Sequence, residues 1–119
     1  MRKVTEKTAQ AFYEGRATKS GNTKVLGNYQ NTILTLHDNV IATIERSGIN
    51  SSKADKLVLT DSGWQTVTTK ERLNGVLSRF FGNKYRIAQE RGEWLFKTFD
   101  EDGLIMRDEL WHGIKELEV

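Results

Sequence analysis

The chain has 119 residues, of which 37% are hydrophobic and 29% charged, and a formal net charge of +2. That length suits one domain around one core, and the lack of cysteine excludes disulfides and thiolate metal sites. No apolar run approaches the ~18 residues that span a bilayer, and "MRKVTEKTAQ" has no apolar stretch of the signal-peptide kind, so a cytoplasmic protein with no membrane partner is expected.

From the N-terminus, Val4 to Glu14 reads as a helix, with Thr5 as cap and Thr8, Ala9, Phe12 and Tyr13 at i, i+3/i+4 spacing. Gly15 is its natural stop. "GRATKSGNT" then reads as a polar loop carrying the cations Arg16 and Lys19. A β-meander follows: "TKVLGNY" as a short strand, then "QNTILTLH" and "VIATIER" flanking a tight turn at Asp38–Asn39. "SGINSSKAD" is a connection, and "KLVLTDS" a fourth strand with Leu57 and Leu59 facing one way.

Thr68 opens a second helix, three residues from Glu71, the spacing of a capping box. Leu73, Val76, Leu77 and Phe80 form its apolar stripe, and Gly82–Asn83 ends it. "KYRIAQERGEWLFKTF" reads as a hairpin turning at Arg91–Gly92, with Tyr85 and Ile87 matched to Trp94 and Phe96. In the tail, Leu104, Ile105, Met106, Leu110, Trp111, Ile114 and Leu117 have helical spacing, weakened by Gly113. The expected fold is α+β: a mostly antiparallel sheet of five or six strands, a central helix, and flanking terminal helices. The expected single domain, 1–119, divides into an N-terminal helix (1–15), a sheet-plus-helix core (16–99) and an acidic C-terminal helix (100–119).

Charge is uneven along the chain. Residues 1–24 hold six Lys/Arg against Glu6 and Glu14, and residues 100–119 hold seven acids against Arg107 and Lys115. A basic body attracts polyanions and an acidic tail tunes that attraction; alternatively the two ends pair with each other or with solvent.

Little points to an enzyme. His37 and His112 lack the spacing of a zinc motif, and His37 beside Asp38 reads as an exposed turn residue. Nucleophile-elbow, dinucleotide and Walker A patterns are missing. "DEDG" at Asp100–Gly103 does not continue as a calcium loop and reads as an acidic turn. No catalytic residue, metal or cofactor is therefore assigned. The stretch with most chemistry is "GWQTVTTKERLNG", Gly63 to Gly75. A helix N-terminus with free N–H groups can hold a phosphate. Thr66, Thr68 and Thr69 add hydroxyls, Lys70 and Arg72 add charge, Trp64 can stack on a base, and Gln65 can bond a base edge. Structural alternatives are Glu71 as capping partner and Trp64 as core anchor.

"SGNT" (Ser20–Thr23), "LHDNVIA" (Leu36–Ala42), "DSGWQTVTTKERLN" (Asp61–Asn74) and "GEWLF" (Gly92–Phe96) together resemble a family of small uncharacterised bacteriophage and plasmid proteins with a GWxTxTT-K/R-x-RLN signature. The resemblance covers about Arg16 to Phe96. It implies phage origin and no mechanism, and points at Asn22, Thr23, Gly63, Trp64, Thr66, Thr68, Thr69, Arg72, Leu73 and Asn74. Gly63 and Leu73 are explained as well by turn geometry and packing. The functional expectation is a non-catalytic phage accessory protein that binds nucleic acid or a nucleoprotein complex in the host cytoplasm. Its site is Arg16, Lys19, Trp64, Gln65, Thr68, Thr69, Lys70 and Arg72. The alternative is an inhibitor of a host enzyme or anti-phage defence complex, acting through Asp108, Glu109 and Trp111.

Overall fold

The computed structural model describes residues 2–48 and 51–119. The chain folds as α1 (Lys3–Glu14), β1 (Thr18–Ser20), β2 (Thr23–Gly27), β3 (Asn31–Leu36), β4 (Asn39–Glu45), β5 (Lys56–Thr60), α2 (Val67–Phe81), β6 (Tyr85–Glu90), β7 (Glu93–Phe99), β8 (Ile105–Leu110) and β9 (Ile114–Glu118). The α+β class is as expected. A six-stranded antiparallel sheet runs in the order β1-β2-β3-β4-β5-β9, and a three-stranded sheet in the order β6-β7-β8. Part of the connection read over "SGINSSKAD", residues 49–50, lies outside the described residues.

Alternation builds the large sheet in two faces. Val25, Leu34, Ala42 and Leu59 stand in one cross-strand row and are fully buried. Both helices pack on that side: α1 against β1, β2 and β3, and α2 against β4. Phe12, Leu73, Val76 and Leu77 from the helices meet Ile87, Trp94 and Phe96 from the small sheet in the same core. Leu26, Ile33, Thr43, Val58 and Glu116 form the neighbouring row on the opposite face.

Two close approaches lock the helical layer. A Cβ at Gly75 would sit 2.5 Å from Thr5 Cγ2, so glycine lets α2 lie against α1. Asn74, in mid-helix, donates to the Ile87 carbonyl at 2.8 Å and accepts from the Ile87 N–H at 2.7 Å. Its amide thus takes the place of a strand neighbour beside β6, and satisfies one backbone pair of that edge.

Several local expectations need correction. The acidic helix over 100–119 does not form. Gly103 and Gly113 both take left-handed φ values, 82° and 79°, and each precedes one of the two strands into which the segment splits. β8 pairs with β7, and β9 pairs with β5. The hydrogen bonds to β5 decide the outcome, since Leu57 and Leu59 are fully buried and a bare β5 edge would leave interior peptide groups unpaired. β1 is an additional strand inside the stretch read as a loop. The first tight turn sits at His37–Asp38, φ 51° and 64°, one residue earlier than read. α1 has no side-chain cap; Arg2 is its N-cap residue and Thr5 is buried. The Thr68–Glu71 capping box is absent too: Thr66 is the N-cap of α2, and its hydroxyl accepts from the Thr69 N–H at 3.1 Å.

Candidate functional site

Three connections meet at one end of the large sheet. The β1–β2 turn, the β3–β4 turn and the β5–α2 connection come from widely separated stretches, and each carries a segment quoted above for its resemblance. Asn22 Nδ2 lies 3.1 Å from His37 Nε2, and the His37 N–H donates to the Asn22 carbonyl at 2.8 Å, tying the first two turns together. The Ser62 hydroxyl donates to the Val40 carbonyl, tying the second to the third.

Asp61 fixes the β5–α2 connection. It is 5% exposed. Its carboxylate accepts from the Gly63 N–H at 2.8 Å and from the Gly113 N–H and the Gln65 amide at 3.1 Å each. Burial pushes this carboxyl up, but the three donors outweigh it and hold its pKa below the ordinary aspartate value. The chain turns sharply through Ser62 and Gly63, at φ 53° and 77°, and the Trp64 N–H closes the turn on the Asp61 carbonyl at 2.8 Å.

That turn presents Trp64 outward, 65% exposed, on the rim of a cleft of about 400 Å³. The floor is apolar, from Leu36 and Ile41, and Ile41 is the extra residue of a β-bulge opposite Leu34–Thr35. His37, Asn39, Ser62, Thr66 and Thr68 supply polar groups around it. The volume lies at the low end for small-molecule and cofactor sites.

The predicted residues divide. Trp64 and Thr68 line the cleft as expected. Thr69 lines it as well, but is buried, with its hydroxyl 2.8 Å from that of Thr66. Lys70 is half-buried in the first turn of α2, and among the described residues it makes no ion pair. Gln65 is not free to read a base edge: its amide lies on Asp61, the Trp111 carbonyl at 3.0 Å and His112 at 3.3 Å.

Arg72 is not a surface cation. It is 4% exposed and bonds Thr23 at 3.1 Å, Thr5 at 2.6 Å and Glu71 at 3.0 Å. Glu71 also takes two bonds from Arg2, at 2.8 and 2.9 Å. Burial, with the Arg2 charge, pulls the Arg72 guanidinium below its ordinary pKa, against the opposing pull of Glu71. The Glu71 carboxyl is held low, first by Arg2 and then by Thr5. This group joins α1, α2 and β2 and is structural.

Arg16 pairs with Glu14 at 2.9 Å, where α1 ends. That end of α1 lies by the β2–β3 turn, since Arg46 bonds the carbonyls of both Tyr13 and Tyr29. Arg16 is therefore at the opposite end of β3 from His37. Lys19 stands across from Lys24 on the helix-free face of the sheet, and Lys24 holds Asp38 at 2.8 Å. Trp111 is 5% exposed and stacks on Trp94 with ring centroids 5.8 Å apart, so it is a core residue and not an interface anchor. Asp108 pairs with Lys97 at 3.4 Å and Glu109 with Lys115 at 2.5 Å. Among the described residues, the acids of the tail pair with Lys56, Lys97 and Lys115, not with the basic first 24 residues.

Sequence reasoning missed His37 as part of a site, together with Leu36, Asn39 and Ile41. His37 is an exposed turn residue, as read, and also a cleft wall. The available signal is that "LHDNVIA" and "DSGWQTVTT" occur together among the segments that carry the family resemblance.

Comparison with curated proteins gives no match, and neither does comparison with solved structures. One family model matches residues 1–115, nearly the whole chain, under the description Kyanoviridae Gp96 protein. The expected phage origin is therefore met at the level of the family: the chain belongs to the Kyanoviridae Gp96 phage protein family.

Proposed function

We propose that this protein is a non-catalytic phage accessory protein that binds single-stranded nucleic acid in the host cytoplasm, with one unstacked base seated in the cleft against Trp64. The observation that carries this reading is the indole itself. A tryptophan 65% exposed, held by a rigid turn over an apolar floor, is costly to leave bare in water and offers a stacking platform. Thr68 and Asn39 supply polar groups for the sugar, phosphate or base edge, and Lys70 supplies charge at the first turn of α2. Arg72, Gln65 and Arg16 have no part in the revised site.

Intrinsic fluorescence tests the reading directly, because Trp94 and Trp111 are buried and Trp64 is the exposed indole. Titration with oligo-dT or oligo-rU should quench Trp64. Trp64→Ala should weaken binding about 5- to 150-fold, following the ~1–3 kcal/mol of a base–aromatic stack. Lys70→Ala should lower the salt slope by about 0.7. Absence of binding to either oligomer at low salt would end the proposal.

A second reading, capture of a host enzyme or defence complex, is favoured by β8. This outer strand of the small sheet exposes Ile105, Met106 and Leu110, with Leu104 exposed just before it. Its unpaired backbone edge is able to receive a strand from a partner. Met106→Asp should then abolish capture of a host protein from lysate and leave oligonucleotide binding unchanged. An unchanged capture profile would remove this reading.

A further inference from the structure

The large sheet carries both helices on one face, and among the described residues no helix or strand packs on the other. That open face has an apolar centre. Leu26, Ile33, Thr43 and Val58 run side by side across four strands, and Val40 and Ile114 belong to the adjoining row. Leu26 is 45%, Val40 41% and Ile114 65% exposed. Isolated apolar residues on a surface need no explanation, but a contiguous row across a sheet marks an interaction surface.

The outermost charges on this face differ in sign from edge to edge, although Lys56 of β5 stands opposite Glu118 and pairs with Glu116 at 3.2 Å, and Lys24 pairs with Asp38 at 2.8 Å. Lys19 and Lys24 lie at the β1–β2 side, and Glu116 and Glu118 at the β9 side. We propose that a second copy of this chain covers the face, forming a two-fold sandwich whose axis runs along the strands. That axis reverses strand order between the two sheets. It therefore lays the basic β1–β2 edge of one copy over the acidic β9 edge of the other, twice by symmetry. An axis across the strands would stack lysines on lysines and glutamates on glutamates, which like-charge repulsion disfavours.

The size of the face also fits a dimer. Six strands spaced ~4.8 Å apart, each about five residues at ~3.3 Å rise, give a footprint of roughly 480 Å² per copy. Two such faces bury about 1,000 Å², the lower end for a specific interface. The dimer is thus a concentration-dependent one, and it leaves the cleft at the sheet end and the β8 edge open. It stands independently of the nucleic-acid reading.

Sedimentation velocity from ~1 to ~200 μM at low salt tests the proposal. The expected result is a monomer–dimer equilibrium that weakens as salt is raised. Lys19→Glu/Lys24→Glu and Glu116→Lys/Glu118→Lys should each weaken self-association about 10-fold or more. An equimolar mixture of the two should restore it as a heterodimer, because each acidic edge then faces a basic one. Circular dichroism checks that both variants are folded. Ile114→Glu, at an exposed position, should shift the wild-type equilibrium to monomer and serves if either charge variant fails to fold. A monomer across the whole concentration range overturns the proposal. So does a dimer that Ile114→Glu leaves intact, or a pair of weakened charge variants that mixing does not rescue.

Discussion

Removal of the Asp61 carboxylate should be among the most damaging changes near the cleft. Three donors converge on it, from Gly63, Gln65 and Gly113, and they belong to the turn under Trp64 and to the chain entering β9. Hydrogen bonds to a charged group are worth ~1.5–3 kcal/mol each. The full sum does not appear, because Gly63 is exposed and Gln65 half-buried, so water replaces part of the loss. We therefore expect Asp61→Ala to destabilise the fold by about 2–4 kcal/mol at pH 7. Asp61→Asn should cost nearly as much, since its amide opposes one N–H donor with another. Urea unfolding followed by tryptophan fluorescence measures both. The carboxyl is held below its unfolded value, so its contribution is present above about pH 4 and is lost as pH falls through the lower folded value. The gap between wild type and Asp61→Asn should accordingly close on acidification below about pH 4. A change under ~0.5 kcal/mol for Asp61→Ala, or a gap that widens in acid, would refute the argument.

Arg72→Ala should cost about 3 kcal/mol in unfolding free energy, because it strips a buried cation from Thr5, Thr23 and Glu71. Oligonucleotide affinity measured on the folded fraction should stay within about two-fold of wild type, whereas a surface phosphate contact would reverse that pattern. Gly75→Ala places a Cβ 2.5 Å from Thr5 Cγ2. It should lower the thermal midpoint despite alanine's better helix propensity, with overpacking of ~1–3 kcal/mol exceeding a gain of about 1. Trp64→Ala should leave stability within ~0.5 kcal/mol of wild type while weakening oligonucleotide binding, so a large loss of stability would make Trp64 a packing residue instead.

The strands and helices with clean periodicity were legible. Leu57 and Leu59 in β5, the Leu73–Val76–Leu77 stripe of α2 and the Arg91–Gly92 turn all appear as read. The tail misled because its apolar residues fall at both helical and strand spacing. Ile114 and Leu117 are three apart, as on one helix face, yet in β9 they stand on opposite faces of a strand. What settles the matter is a non-local fact, the bare edge of β5, which no window of sequence contains. Arg72 failed for a related reason. It stands between Glu71 and Leu73, and only the approach of Thr5 and Thr23, 67 and 49 residues away, turns it inward. The cleft was half legible: Trp64 and the threonines were visible as a local cluster, while His37 and Ile41 join them only through sheet geometry.

The pairing of β9 with β5 has a consequence for the order in which the molecule can mature. Residues 56–60 are synthesised more than fifty positions before their ladder partner, residues 114–118. Through that interval the nascent sheet displays a hydrophobic border able to template the wrong neighbour. α2 and the three-stranded sheet are both made meanwhile, so most of the interior is assembled before the last strand arrives to seal it. Termination between residues 60 and 114 would release a sticky intermediate, and translation speed across that stretch becomes a determinant of yield.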